Sequence, residues 1–264
     1  MKLQSRVCEI LEIEQPIVLA GMGGASSPAL AAAVSNAGGL GVLGAAACGP
    51  RQLREWIRQT REMTDKPFGV DTLLPASVRR ANYEDNEGPT PMDLVPERQA
   101  FAEEFMRKEG LEPPEPGSVQ RGPDDDEPAL FTKEFFEAQM EVIIQERVPV
   151  YASGLGNPGP WMTELRANGT KVMAVVGAVR HAIQEKSSGL DIIVAQGHDG
   201  GGHNSPVGTM ALIPQVVDAV GDTPELGAGG ISDGRGVAAA LMLGAEGVWV
   251  GSAFLASEEA NIFD

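Results

Sequence analysis

Short apolar runs alternate along this chain with longer segments in which hydrophobic residues recur every three to four positions. The runs have the length of buried β-strands, whereas the second pattern is typical of amphipathic helices. The predicted strands cover residues 16–22, 39–46, 67–74, 149–155, 171–178, 191–197, 224–231 and 246–255. Strands that alternate with helices are typical of an α/β protein with a parallel sheet.

The helical segments between these strands complete a repeated strand–helix unit. They cover residues 29–38, 50–63, 131–148, 161–169, 179–189, 209–221 and 232–244. Ser27 and Pro28 suit the cap and the first turn of the first helix. Eight strand–helix alternations in 264 residues predict a closed (β/α)8 TIM barrel, formed by residues 1–264 as one domain, since such barrels usually have about 250 residues.

Two features depart from a plain barrel. Residues 75–128 form an insertion after strand 3 that is rich in Pro, Asp, Glu and Gly, with one helical patch at 92–110. We expect this insertion to pass over the face that carries the strand ends, either as a lid or as a solvated loop. An eighth helix is missing after strand 8, so a truncated form, cover by the N-terminal segment and cover by a neighbouring subunit of a homo-oligomer all stay open.

Charge and composition narrow the class of ligand. A formal net charge of −17 repels nucleic acid and anionic membrane surfaces, so a small-molecule substrate is expected. Cys8 and Cys48 lie far apart and form no disulfide framework, which indicates a reducing, cytoplasmic location. The N-terminus has no apolar signal region and no apolar run reaches about 18 residues, so neither export nor membrane insertion is expected.

Glycine-rich loops follow strands 1, 6, 7 and 8, at the end of the barrel where such folds carry their chemistry. Backbone N–H groups in these loops, aided by a helix N-terminus, bind phosphate without basic side chains. The loops at 227–236 and 250–254 therefore predict a phosphate cradle for a cofactor or a substrate. A G-x-G-x-x-G spacing at 154–159 contains a proline and lacks the acidic residue that follows dinucleotide sites, so we interpret it as a turn at the barrel mouth.

The loop after strand 6, "GHDGGGH", raises the question of a metal site. His198, Asp199 and His203 are metal-ligating residue types, but their spacing supplies no clear third or fourth ligand, and we predict no metal. A histidine beside a phosphate-anchored cofactor is better suited to acid–base or electrostatic catalysis. We expect His198 to point to solvent and His181, at the start of a surface helix, to be structural.

Four segments together resemble a known family. "PIVLAGMGG", "PFGVDTLLP", "AQGHDGGGH" and "GAGGISDGRGVAAALMLGAEGVWVGSAFLAS" occur in the order and at the strand positions of the nitronate monooxygenase (2-nitropropane dioxygenase-like) family. That family includes flavin-dependent enoyl-acyl carrier protein reductases and NAD(P)H:quinone reductases. The resemblance implies a (β/α)8 barrel that binds FMN.

The resemblance also implies roles for individual residues. Those placed against the flavin ring are Ala20, Gly21 and Met22, with Gln196 at the ring edge. Those near the ribityl phosphate are Gly201, Gly202, Gly229, Gly230, Gly251 and Ser252. Asp71 stands where the family often has an asparagine and is included in the cofactor site. His203 matches the motif histidine associated with catalysis.

The implied activity is oxidation of alkyl nitronates with O2 to carbonyl compounds and nitrite. His203 would either stabilise the anion or take a proton from a neutral nitroalkane. An NAD(P)H-dependent flavin reductase of enoyl thioesters or quinones is an alternative, and a non-catalytic flavin- or phosphate-ligand-binding barrel is another. The chain departs from the family in "DGGGH" for "EAGGH", in Glu225 within a normally apolar strand, and in the missing tail.

Overall fold

Eight parallel strands form the centre of the molecule. The computed structural model describes residues 5–74, 96–111, 126–128 and 130–262. The strands are β1 (Ile17–Leu19), β2 (Gly41–Gly44), β3 (Phe68–Leu73), β4 (Val150–Leu155), β5 (Lys171–Val176), β6 (Ile192–Gln196), β7 (Glu225–Ala228) and β8 (Gly247–Val250). Each strand pairs with its neighbours in chain order, β8 pairs with β1, and a parallel bridge between Val18 and Leu40 joins β1 to β2. The predicted (β/α)8 barrel is confirmed.

Seven helices follow strands as the periodicity predicts, whereas the first helix, which precedes β1, was not predicted. The helices are α1 (Arg6–Leu11), α2 (Pro28–Asn36), α3 (Pro50–Met63), α4 (Pro96–Lys108), α5 (Lys133–Gln145), α6 (Met162–Ala167), α7 (Val179–Ser187), α8 (Thr209–Val220) and α9 (Gly234–Met242). Short 3-10 turns occur at Gly159–Trp161 and Ser252–Ala256. Ser27 caps α2 as expected, because its Oγ accepts a hydrogen bond from the N–H of Leu30 at 3.4 Å.

The barrel interior is filled by alternate strand residues. They are Val18, Leu40, Val42, Val150, Ala152, Met173, Ile192, Val194, Leu226, Ala228 and Trp249, all buried. Most of the intervening residues face outward and pack under the helices, as Val70 and Tyr151 do against α3 and α5. Burial on both faces explains why the strands read as near-continuous apolar runs.

The N-terminal segment closes the bottom of the barrel. Val7 and Leu11 of α1 belong to the interior cluster. Arg6 forms an ion pair with Glu246, just before β8, and donates a hydrogen bond to the carbonyl of Asp222, just before β7. This segment therefore covers the N-terminal ends of the strands.

An apolar groove lies on the outer side of β1. The groove is lined by Ile17, Leu30, Ala33, Val34 and Phe254 among others.

The insertion after β3 is described only in part. Its predicted helical patch is α4, and most of the remaining residues between 75 and 125 lie outside the described residues, so the expected lid stays a prediction. At the end of the insertion, the Glu127 carboxylate accepts a hydrogen bond from the N–H of Arg51 at 2.8 Å. The capping residue Gly49 has no side chain to do this, so an acidic residue of the insertion caps the first turn of α3.

Candidate active site

A cleft opens between the ends of β1, β6, β7 and β8. Its volume is about 220 Å³. It is lined by Ala20, Met22, Gln196, Asp199, Gly200, Gly201, Gly229, Gly230, Ile231, Ser232, Trp249, Val250, Gly251, Ser252 and Ala253. No lysine or arginine is among the described residues that line it, so an anion in this cleft would depend on backbone N–H groups.

The loop after β7 can be formed only by glycine. Gly229 and Gly230 have φ of 108° and 70°, in the left-handed region. A Cβ at Gly229 would lie 2.5 Å from Thr209 Oγ1 and 2.9 Å from the backbone nitrogen of Gly200. The loops after β6 and β7 therefore pack backbone against backbone at the wall of the cleft.

The loop after β1 is held by a buried serine. Ser26 is fully buried; its Oγ accepts a hydrogen bond from the N–H of Met22 at 3.1 Å and donates one to the carbonyl of Ala20 at 2.8 Å. This pair of bonds ends β1 at Leu19 and turns Ala20 and Met22 onto the wall of the cleft. Sequence reasoning missed Ser26, because nothing in the motif distinguishes it from an ordinary turn serine.

The histidine-containing loop after β6 is fixed by side-chain to backbone hydrogen bonds. The Asp199 carboxylate accepts from the N–H of Thr209 at 2.8 Å and so caps α8. Hydrogen bonds from Thr209 hold the pKa of Asp199 below its ordinary value, which keeps this carboxylate ionised. Asn204 donates to the carbonyl of His198 at 3.1 Å, and Gln196 Nε2 donates to the carbonyl of Gly201 at 3.0 Å. The Asp199 carboxylate therefore stabilises the fold of the loop.

A larger chamber adjoins the cleft over the ends of β4, β5 and β6. Its volume is about 630 Å³, and Gln196 lines both cavities. The polar residues on its wall are Asn157, Arg180, His181, Gln184, Glu185, His203, Asn204 and Ser205. His181, expected to be structural, thus borders the chamber beside the exposed cation Arg180.

The two loop histidines face different surroundings. His203 lines the chamber and is exposed, and within the described residues its side chain makes no hydrogen bond or ion pair. His198 lines neither cavity; its side chain is 56 % exposed and its Nε2 lies 3.9 Å from Asp199 Oδ1. The structure therefore brings His203, and not His198, to the mouth of the barrel.

Three of the predicted cofactor residues do not line the cleft directly. Gly202 is exposed on the loop after β6, Gly21 is partly exposed on the loop after β1, and Asp71 is buried beside Gly21. The Asp71 carboxyl is buried against Gly21 and Gly154, and burial raises its pKa well above the ordinary value. The other predicted cofactor residues, including Gln196, Gly201, Gly251 and Ser252, all line it.

Two further properties of the described residues bear on the class of protein. Within the described ranges no group of three or more His, Cys, Asp or Glu side chains has the geometry of a metal site. In the same part of the chain no helix has the length and apolar character needed to cross a membrane.

The fold and the site define a (β/α)8 barrel with a glycine-lined cleft and an adjoining chamber at the C-terminal ends of its strands. The nitronate monooxygenase family model matches residues 4–264. The chain belongs to the nitronate monooxygenase family. It is therefore an enzyme of the flavin-dependent monooxygenase type that acts on a small molecule.

Similar proteins support this assignment over nearly the whole chain. A protein of Staphylococcus aureus named probable nitronate monooxygenase is 35 % identical, over 98 % of this chain and 69 % of its own length. The structure of FabK from Thermotoga maritima matches with a TM-score of 0.73 and 36 % identity, over 98 % of this chain and 65 % of that one. Nitroalkane oxidase from Streptomyces ansochromogenes matches with a TM-score of 0.76 and 30 % identity, over 98 % and 70 %.

Proposed function

We propose that this protein is an FMN-dependent nitronate monooxygenase that oxidises alkyl nitronates with O2 to carbonyl compounds and nitrite. The observation that carries the proposal is a glycine-lined cleft next to a chamber whose wall holds His203; among the described residues the cleft has no basic side chain and His203 has no partner. Family membership implies a flavin, and the glycine-lined cleft at the ends of β7 and β8 suits a phosphoryl end, so we assign the flavin as FMN.

The residues present fit such a cofactor. Gly229 and Gly230, with Gly251 and Ser252 across the cleft, would hold the phosphate through backbone N–H groups. Ala20 and Met22 would lie against the ring, and Gln196, at the border of both cavities, would stand at its edge. When bound, the flavin supplies electron transfer between the nitronate and dioxygen.

His203 is the residue we assign to substrate chemistry. Its imidazole lies on the chamber wall with no partner among the described residues, so it is available to a bound substrate. Imidazole gives or takes a proton readily near neutral pH, and as a cation it stabilises an adjacent anion. His203 would therefore hold the nitronate group in the chamber, or take the proton from a neutral nitroalkane.

A second candidate is an NAD(P)H-dependent flavin reductase. The observation in its favour is Arg180, which lies on the chamber wall at the start of α7 and has no acidic partner among the described residues. A guanidinium beside a helix N-terminus suits the phosphates of a nicotinamide dinucleotide. The chamber is also the larger of the two cavities, as a second cofactor would require.

Anaerobic mixing separates these two functions. The FMN-loaded enzyme should lose its visible flavin bands on mixing with an alkyl nitronate, and should keep them with NADH or NADPH. Admission of air should then restore the bands and release nitrite. Bleaching by NADH or NADPH, with none by the nitronate, would replace the proposed activity with the reductase.

Substitution of Gly230 by leucine should weaken FMN binding at least about tenfold, because a side chain at φ 70° is strained and fills the cradle. Its Cβ would also lie 3.2 Å from Asp199 Cβ. FMN affinity is measured by flavin fluorescence on mixing with the apoprotein. Gly169→Leu is the matched control: Gly169 has a similar φ of 78°, nothing lies within 4 Å of its would-be Cβ, and it precedes β5 at the other end of the barrel. Equal FMN affinity in the two folded variants would remove the phosphate assignment.

A further inference from the structure

The loop that carries His203 is anchored to the barrel on two sides. Its first half packs on the loop after β7, since a Cβ at Gly229 would lie 2.9 Å from the backbone nitrogen of Gly200. Its second half contains Ser205, which is 4 % exposed and is the single buried residue of the fully described stretch 198–208. The side of the loop that holds His203 therefore has its own attachment to the barrel.

Ser205 ties this second half to the end of β5. Its Oγ donates a hydrogen bond to the carbonyl of Gly177 at 2.6 Å and accepts one from the N–H of Val207 at 2.8 Å. A Cβ at Gly177 would lie 3.2 Å from Ser205 Cβ, so glycine lets the two segments approach closely. The hydrogen bonds of Asn204 and Asp199 stay within the loop or reach the helix that follows it. These bonds give the loop its shape, whereas the bond to Gly177 sets where the loop stands relative to β5.

The connection between the two halves is glycine with open space around it. Among the described residues no atom lies within 4 Å of a would-be Cβ at Gly201 or Gly202, and Gly202 has φ 72°. His203 follows directly, and its imidazole has no partner of its own among the described residues. Packing of the first half against β7 therefore does not fix the imidazole, whose place on the chamber wall depends on the side of the loop that Ser205 holds.

We infer that Ser205 is a positioning residue for the substrate step and that it acts through His203. This inference rests on the proposed function, because it requires His203 to act on a substrate in the chamber. Ser205, Gly177 and His203 all line that chamber. Loss of the Ser205 hydroxyl would leave the Gly177 carbonyl and the Val207 N–H without this partner, and the loop would be free to move away from β5. A displacement of about 1 Å can lower the rate of a reaction about 10²-fold.

The test is a double-mutant cycle of Ser205→Ala and His203→Asn, with turnover of ethylnitronate by the FMN-loaded enzyme as the measurement. Ser205→Ala alone should lower turnover by about 10- to 100-fold. In the His203→Asn background the same change should alter turnover by less than about threefold, because the group that Ser205 positions is already gone. FMN affinity should stay within about threefold of wild type, since neither side chain lines the cleft.

Ser35→Ala is the matched control at the opposite end of the barrel. Ser35 is 1 % exposed, and its Oγ donates to the carbonyl of Pro67 at 2.8 Å and accepts from the N–H of Gly41 at 3.0 Å. The control therefore loses the same two kinds of hydrogen bond, just before β3 and at the start of β2. Urea unfolding should show a loss of stability similar to that of Ser205→Ala, whereas turnover should stay at the wild-type value.

Three results would overturn the inference while leaving the role of His203 intact. They are wild-type turnover in folded Ser205→Ala, an equal loss in the His203→Asn background, and an equal loss in Ser35→Ala. If Ser205→Ala does not fold, Ser205→Cys replaces it in the same cycle with the same expected result, because a thiol has a similar shape and is only a weak donor. Wild-type turnover in His203→Asn would overturn the proposed role of His203 and this inference with it.

Discussion

Replacement of His203 by asparagine is expected to lower turnover of the nitronate by about 10²–10⁴-fold, the usual contribution of a positioned acid–base group. His203 lies on the chamber wall without a partner among the described residues, so its imidazole is free to act on the substrate. FMN should stay bound, because the phosphate cradle belongs to the ends of β7 and β8 and the substituted side chain does not line the cleft. Steady-state kinetics on the flavin-loaded variant measure the effect.

His198→Asn is the matched control within the same loop. His198 is 56 % exposed, lines neither cavity and lies near Asp199 only at 3.9 Å, so its loss should change turnover by less than about tenfold. The opposite order of effects, with both variants carrying FMN, would make His198 the reacting group. A fall in flavin content of His203→Asn instead would assign His203 to cofactor binding.

The fold was predictable because its pattern is repeated eight times. The centres of the strands agree with the apolar runs, but several strands are shorter than predicted. Residues 16–22 were predicted for β1, which is Ile17–Leu19, and residues 224–231 for β7, which is Glu225–Ala228. The excess residues are apolar or glycine and resemble strand residues, yet those at the C-terminal ends, such as Ala20, Met22 and Gly229, leave the ladder and line the cleft. Hydrophobicity alone therefore marks where a strand runs, and hydrogen bonds such as those of Ser26 decide where it ends.

Helix α1 could not be predicted from the sequence for a different reason. The segment Arg6–Leu11 is short, and its buried Val7, Cys8 and Leu11 do not stand out among the charges around them. Its role as the cover of the barrel bottom depends on contacts with residues 246 and 222, which lie more than 200 positions away. Long-range ion pairs and hydrogen bonds of this kind leave no local signal.

The sequence predicts which loops form the site. It does not predict the hydrogen bonds and the burial that hold the side chains of the site in place. Motif order places Ala20, Gly230 and Ser252 on one cleft, as the structure also does. Sequence reasoning considered Asp199 as a metal ligand, whereas the structure uses it to cap α8. The raised pKa of Asp71 depends on its burial, which is a property of the fold rather than of any motif.

Substitution of Glu225 is the second change for which we expect a large effect, in this case on the stability of the fold rather than on catalysis. It is a carboxyl in a strand that is normally apolar, and neither of its oxygens has a partner among the described residues. Burial raises the pKa of Glu225 from its ordinary 4.5 to about 9. The folded protein therefore keeps a proton on this group at neutral pH, whereas the unfolded chain has lost it.

The sign of the pH dependence follows from this difference. Because the pKa of Glu225 is raised on folding, its contribution to stability is fully present below about pH 4.5 and is lost progressively as pH rises to about 9. Each pH unit in that window corresponds to about 1.4 kcal/mol. Between pH 4.5 and about pH 7, the wild type should therefore lose about 3 kcal/mol relative to Glu225→Gln, which carries no titratable group.

Urea unfolding of the wild type and of Glu225→Gln across this range measures the difference between their pH slopes. Other titrating groups are common to both proteins and cancel, and any fixed cost of burying the amide shifts the whole curve without changing its slope. Glu225→Leu, which is apolar as the family strand is, should show the same flattened slope as the glutamine variant. Parallel pH curves for all three proteins would mean that Glu225 is ionised in the folded state, and that a cation or solvent reaches it at the start of β7.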